Sequence, residues 1–203
     1  MRYLMRVVLA IMAAALFSLS SCATTELTGV WRDPGFQGKI NKVAVIGTFK
    51  QPITRNLFED EFVRQLKAHG VNAIASYTVV HIDELSDENT VREKIGKLGV
   101  DSVIVTRLAD MRTVQTYVPG QAYAVPGFYG SWGPYYRHVY SYSPGYVVQD
   151  EYALAETNIY EVQGEKLIWS ASTQTLISGT SQERMQSFVS IMVGRLLSDN
   201  LIK

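Results

Sequence analysis

Apolar positions along the chain fall into blocks of three kinds, and each kind predicts a different element. Residues 7–17 form an unbroken apolar block behind Arg2 and Arg6, residues 42–47 a short β-branched block ending in Gly47, and residues 54–69 a block spaced at three and four. The first is too short to span a bilayer, which takes roughly 20 apolar residues. Placed behind two arginines and ahead of small polar residues, it reads as a secretory signal peptide over residues 1–21. The second predicts a buried strand. In the third, Phe58, Phe62 and Leu66 fall on one face with Leu57 and Val63 beside them, which predicts an amphipathic helix. His69 and Gly70 close it with a last-turn residue suited to the dipole and a glycine past the cap.

Past Gly70 the blocks shorten. Residues 71–75 predict a second strand, and residues 76–85 connect it to a helix capped by Ser86 or Asp87, with Val91, Ile95 and Leu98 as inner stripe and Gly99 as stop. A third strand follows over residues 100–108. Strands alternating with helices through short loops predict right-handed crossovers and a parallel three-stranded start to the sheet. Residues 147–162 and 166–177 then predict two strands joined by a hairpin turn at Gln163-Gly164. In the second of these, Leu167, Trp169, Ala171 and Ile177 are set against Ser170, Ser172 and Gln174, the pattern of a sheet with one wet face. Thr180 and Glu183 frame a capping box, and Met185, Phe188, Val189, Met192, Leu196 and Leu197 give the last helix a wide apolar face for the sheet. The predicted class is α/β (α+β), a mixed sheet in two or three layers, in the order β-α-β-α-β, long aromatic loop, β-β-α.

Two stretches stand outside this pattern. Residues 22–41 are polar and broken by Gly29, Pro34, Gly35 and Gly38, as a tether is, although Trp31 and Phe36 should dock its second half on the domain. Residues 117–146 hold eight of the twelve tyrosines, with Phe128, Trp132, four prolines and five glycines. Structureless loops of that length are usually functional or disordered. Aromatic rings supply rigid contact surface at low entropic cost, so Tyr123, Phe128, Tyr129, Trp132, Tyr135, Tyr136 and Tyr140 are the candidate partner-binding residues. The other reading of the segment is a crossover whose rings fold back onto the sheet. The expected organisation is a signal peptide over 1–21, a tether over 22–41, and one α/β domain over 42–203 with a Tyr/Gly/Pro-rich insertion at 117–146.

Composition narrows the function classes. Without residues 1–21, 182 of the 203 residues remain, enough for one domain with a sizeable core. Losing Arg2 and Arg6 leaves 17 basic residues against 19 acidic ones, a net charge of −2 with histidines neutral. No basic cluster is denser than Lys94 to Lys97, so no nucleic-acid partner is expected. His69, His81 and His138 stand in no zinc-like spacing, and Gly47-Thr48-Phe49-Lys50 has one glycine where a phosphate loop needs several. Gly130-Ser131-Trp132-Gly133 is not the G-x-S-x-G of a nucleophile elbow. Glu59, Asp60 and Glu61, early in the first helix, complement its dipole but point about 100° apart in succession. Asp150 and Glu151 point to opposite sheet faces. No catalytic residue, metal or cofactor is therefore expected, and with one cysteine in the chain no internal disulfide.

That cysteine carries the first resemblance. Leu19-Ser20-Ser21-Cys22 resembles the bacterial lipobox, which implies that Cys22 is thioether-linked to a diacylglyceryl group, becomes the amino terminus on cleavage and is then N-acylated. Ala23 after it resembles the outer-membrane sorting pattern of Gram-negative lipoproteins. Trp31-Arg32-Asp33-Pro34, residues 42–47, Phe58-Glu59-Asp60, residues 70–77, residues 98–106 and Leu167-Ile168-Trp169-Ser170 carry the second. They resemble small bacterial outer-membrane lipoproteins of mostly unknown function, whose soluble domain is similar to the amino-terminal α/β domain of TolB and the core of CsgG. The resemblance implies that fold and no particular activity. Pro119, Pro126, Pro134 and Pro144 speak against CsgG-like membrane strands, since proline cannot donate to a ladder. The expected function is a lipid-anchored, periplasm-facing, non-catalytic module of the envelope, held to the membrane at Cys22 and acting on an envelope protein. A glycan- or small-ligand-binding lipoprotein that uses residues 117–146 is the alternative.

Overall fold

The computed structural model describes residues 25–120 and 145–203. In chain order, β1 (Thr25–Arg32) and β2 (Lys42–Gly47) precede α1 (Pro52–Ala68), β3 (Asn72–Ala75), α2 (Glu88–Gly96), β4 (Ser102–Val118), β5 (Tyr146–Glu161), β6 (Lys166–Leu176) and α3 (Ser181–Ser198). The strands make one six-stranded sheet in the order β1-β6-β5-β4-β2-β3. β2 pairs in parallel with both β3 and β4, the parallel start that alternating strands and helices predict. β4, β5, β6 and β1 then continue antiparallel. This is a mixed α+β sheet, the class read from the sequence.

Burial alternates along β2 by face. Val43 and Val45 join the larger core beneath α1 and α3, with Phe58, Phe62, Leu66, Trp169, Val189 and Met192, whereas Ala44 and Ile46 join a smaller core beneath α2, with Val80 and Ile95. Cover on both faces explains why residues 42–47 are apolar without alternation. Towards β1, only the α1/α3 face is covered, so Ser172 faces solvent.

The caps follow their chemistry. Pro52 takes the first turn of α1, and Gly70 leaves it at φ 77°, a left-handed conformation that glycine adopts without a Cβ clash. Of the two candidate caps of α2, Asp87 takes the role, accepting from the Asn89 and Thr90 amides. Thr180 and Glu183 form the expected capping box on α3. Phe188, Val189, Met192 and Leu196 are buried under α3 as predicted, joined by Val193.

Five details differ from the sequence reading. Over Thr25–Arg32 the predicted tether is strand β1, hydrogen-bonded to β6. Its register shifts between Leu27 and Gly29, which puts Leu27 and Val30 both against the core at a spacing of three and hides the period of two. Phe36 packs on the core as expected, but Trp31 stays exposed. A second irregularity, between Ile159 and Tyr160, leaves Ile168 without a cross-strand partner, so Ile168 and Trp169 are both buried and Leu167 is outside that core. The β5–β6 turn spans four residues rather than Gln163-Gly164 alone, with Glu165 at φ 50°. Finally, β4 runs ten residues past the predicted end at Leu108.

Candidate functional site

In open sheets with parallel strands, ligands collect beyond the carboxyl ends of the strands. Here that place is filled by the chain itself. Glu59 is fully buried, and its carboxylate accepts from Gly47 N at 3.0 Å, Arg55 Nε at 2.9 Å, Ser76 Oγ at 2.9 Å and Tyr77 N at 2.8 Å. Arg55 also donates to Ser76 Oγ at 2.8 Å and is 1 % exposed. The network ties α1 to the ends of β2 and β3. Glu59 is therefore not a first-turn dipole partner: α1 starts at Pro52, and its first turn holds no acid. Next to it, Tyr77 donates to Asp60 at 2.7 Å, and that bond pushes the Tyr77 phenol above its ordinary value. Glu59, Arg55 and Ser76 thus find their partners inside the fold, and the network clamps α1 to the sheet.

His69 caps the end of α1 and His81 opens a short 3-10 turn, while His138 lies outside the described residues. Among the described residues no three His, Cys, Asp or Glu side chains gather as a metal site would require.

What the structure leaves open lies at one end of the sheet. β2 stops pairing with β4 at Thr106, and β6 stops pairing with β5 at Tyr152. Beyond those points β4 and β5 pair only with each other, through Thr113–Glu151 to Val118–Tyr146. The result is a two-stranded ribbon that leaves the domain and leads into residues 119–145. Tyr117, Tyr146 and Val147 near its tip are 65 %, 57 % and 56 % exposed. At its base a groove of about 340 Å³ lies between the ribbon and the starts of α1 and α3, lined by Phe49, Phe58, Leu108, Met111, Ile177 and Met185. A larger apolar groove of about 660 Å³ lies on the other face, against α2, floored by Ile46, Ile95, Val103 and Val105 and bordered by Arg92, which pairs with Glu88 and Glu165.

The predicted site residues Tyr123, Phe128, Tyr129, Trp132, Tyr135, Tyr136 and Tyr140, and the lipidation residue Cys22, lie outside the described residues. The structure does place the two ends of their segment, Val118 and Tyr146, side by side at the ribbon tip. Sequence reasoning found the β5 arm of the ribbon, in the strand over residues 147–162, and missed the β4 arm past Leu108 because its alternation is weak: Met111, Thr113, Gln115 and Tyr117 succeed one another on one face with no apolar rule.

No protein-family model and no curated protein matches this chain. Among solved structures, the chain is similar to PelC of Paraburkholderia phytofirmans, crystallised as a dodecamer, at 11 % identity and TM-score 0.44, over 86 % of this chain and 96 % of that one. It is also similar to lipoprotein GNA1162 of Neisseria meningitidis, at 11 % identity and TM-score 0.42, over 78 % and 99 % of the two chains. Likeness this slight carries no role from either protein to this one. No helix among the described residues is long and apolar enough to cross a membrane.

Proposed function

We propose that this chain is a non-catalytic interaction module of the bacterial envelope, anchored by lipid at Cys22 in the outer membrane, facing the periplasm, and engaging an envelope protein through residues 117–146. The observation that carries the reading is the ribbon. It adds nothing to either core, yet it holds both ends of the aromatic segment in fixed register, clear of the helices. The lipobox-like Leu19-Ser20-Ser21-Cys22 supports the anchor, and the resemblance of residues 42–47 and 98–106 to the TolB and CsgG α/β domains fits an accessory role. The clamp at Glu59, which occupies the place where a substrate would sit in such folds, weighs against catalysis.

The experiment replaces residues 119–145 with a short Gly/Ser turn and compares crosslinked complexes and melting with wild type. A flexible closure of this length costs entropy only slowly, so melting should hardly change while the crosslinked partner is lost. Trp132→Ala and Tyr135→Ala should each remove part of the capture, because a few central rings carry most of an interface. Retained crosslinks to the same protein would overturn the reading. Capture of saccharide alone by the wild type would favour the glycan-binding alternative instead.

A further inference from the structure

The ribbon and the predicted anchor leave the sheet at the same end. Thr25 pairs with Thr175, their hydroxyls 2.9 Å apart, Thr175 pairs with Ala153, and Ala153 pairs with Met111. β1 therefore begins level with the base of the ribbon. Cys22 precedes Thr25 by three residues, which reach about 11 Å at most. From Met111 to Val118 the ribbon runs seven residues further in the same direction, about 24 Å at the rise of an antiparallel strand. A lipid held at Cys22 thus brings the membrane nearer to this end of the domain than the ribbon is long.

We propose that the ribbon tip, residues 115–118 with 146–149, rests in the headgroup layer of the membrane that anchors the protein. This rests on the reading of Cys22 as the anchor. The chemistry of the tip fits a lipid surface. Its four pairs are Gln115–Gln149, Thr116–Val148, Tyr117–Val147 and Val118–Tyr146, so none brings a carboxylate or a cation to the interface. The charged side chains of the ribbon, Arg112, Asp150 and Glu151, sit nearer its base. Tyrosine favours the bilayer interface, where its ring is buried and its hydroxyl stays wet. Past the tip, the connection over residues 119–145 contains Arg137 as its one residue among Asp, Glu, Lys and Arg. Depth is limited by the backbone. A two-stranded ribbon has an unpaired row of amides and carbonyls on both edges, which hydrocarbon cannot satisfy and hydrated headgroups can. The tip therefore lies in the interface and does not span.

The test uses the full lipidated protein in vesicles of phosphatidylethanolamine and phosphatidylglycerol. Lipidation would block the native thiol, so Tyr117→Cys and Lys97→Cys each offer one site for an environment-sensitive fluorophore. Lys97 is exposed beyond α2, near the start of β4 and far from the tip. Spin-labelled lipids carrying the quencher near the headgroup should quench the fluorophore at 117 at least threefold more than the one at 97. Protein that floats with the vesicles but is quenched equally at both positions overturns the ribbon proposal and leaves the anchor standing. Protein that fails to float, with unmodified Cys22 by intact mass, overturns the anchor and the proposal with it. A fluorophore at 117 that becomes shielded as protein concentration rises, without lipid quenching, assigns the tip to a second copy and also overturns the proposal.

Discussion

Replacing Glu59 with glutamine keeps the shape of the clamp and removes its charge. The carboxylate accepts four hydrogen bonds of 2.8 to 3.0 Å, three at Oε1 and one, from Tyr77 N, at Oε2. An amide has one acceptor oxygen and one NH2. If the oxygen turns to Gly47, Arg55 and Ser76, the NH2 faces the Tyr77 amide, and donor meets donor. If it turns the other way, three donors lose their acceptor. In both cases the Arg55 guanidinium stays buried without a counter-charge. Removing one partner of a buried pair costs about 3–5 kcal/mol, and for a domain of this size each kcal/mol lowers Tm by roughly 2–4 °C. Thermal and urea unfolding of the mature protein should therefore show Tm lower by about 6–20 °C. The double variant Arg55→Met, Glu59→Leu takes their partners from the Gly47 and Tyr77 amides and the Ser76 hydroxyl but buries no lone charge, so it should cost less than Glu59→Gln alone. A Glu59→Gln protein within about 1 kcal/mol of wild type, or a double variant worse than the single, would refute the clamp.

Two further variants probe the core and the acid limb. Phe188 is buried against Phe58, with ring centroids 5.7 Å apart, so Phe188→Ala should cost about 3–5 kcal/mol, whereas Ser190→Ala on the exposed side of α3 should stay within about 0.5 kcal/mol; equal melting of Phe188→Ala and wild type would remove α3 from its assigned place. Burial alone would push the Asp199 carboxyl up, but hydrogen bonds from Arg195 and from Trp169 Nε1 hold it below its ordinary 3.8. A group lowered on folding stabilises above its unfolded value and loses that contribution as pH falls through its folded one. The stability gap between wild type and Asp199→Asn should thus be full at neutral pH and close below about pH 4, and a gap unchanged across that range in urea titrations would contradict the linkage.

Elements were legible wherever burial follows a simple period. Residues 42–47 read as a run buried on both faces, and Phe58, Phe62, Leu66, Phe188 and Met192 announce their side because each helix buries one regular stripe. Legibility failed where one residue breaks the period. The register shift in β1 disguised a strand as a tether, and the irregularity beside Ile159 exchanged Leu167 for Ile168 in the core. It failed again at Arg55 and Glu59, which a hydropathy reading assigns to solvent. Only the fold brings Ser76, Gly47 N and Tyr77 N around them, 12 to 21 residues away along the chain. The β4 side of the ribbon tip was legible only as composition, since no period distinguishes its two faces.

The ribbon is also where stability and function part. Strands in globular proteins average about 5–6 residues, and β4 and β5 have 17 and 16. The five pairs from Ser102–Glu161 to Thr106–Thr157 lie beneath helices and are repaid by burial, with Ile104 and Ile159 in the larger core. The pairs from Thr113–Glu151 outward put no residue into either core, and a lone two-stranded hairpin is marginal in water. Neither core gives a reason for the two strands to continue past Arg112 and Tyr152. On the reading proposed above, a surface outside the domain covers or uses the ribbon, whereas the groove against α2 is already floored by core residues and has a structural account without a ligand. A search for what this protein binds therefore begins at Val118 and Tyr146 rather than at the larger hollow.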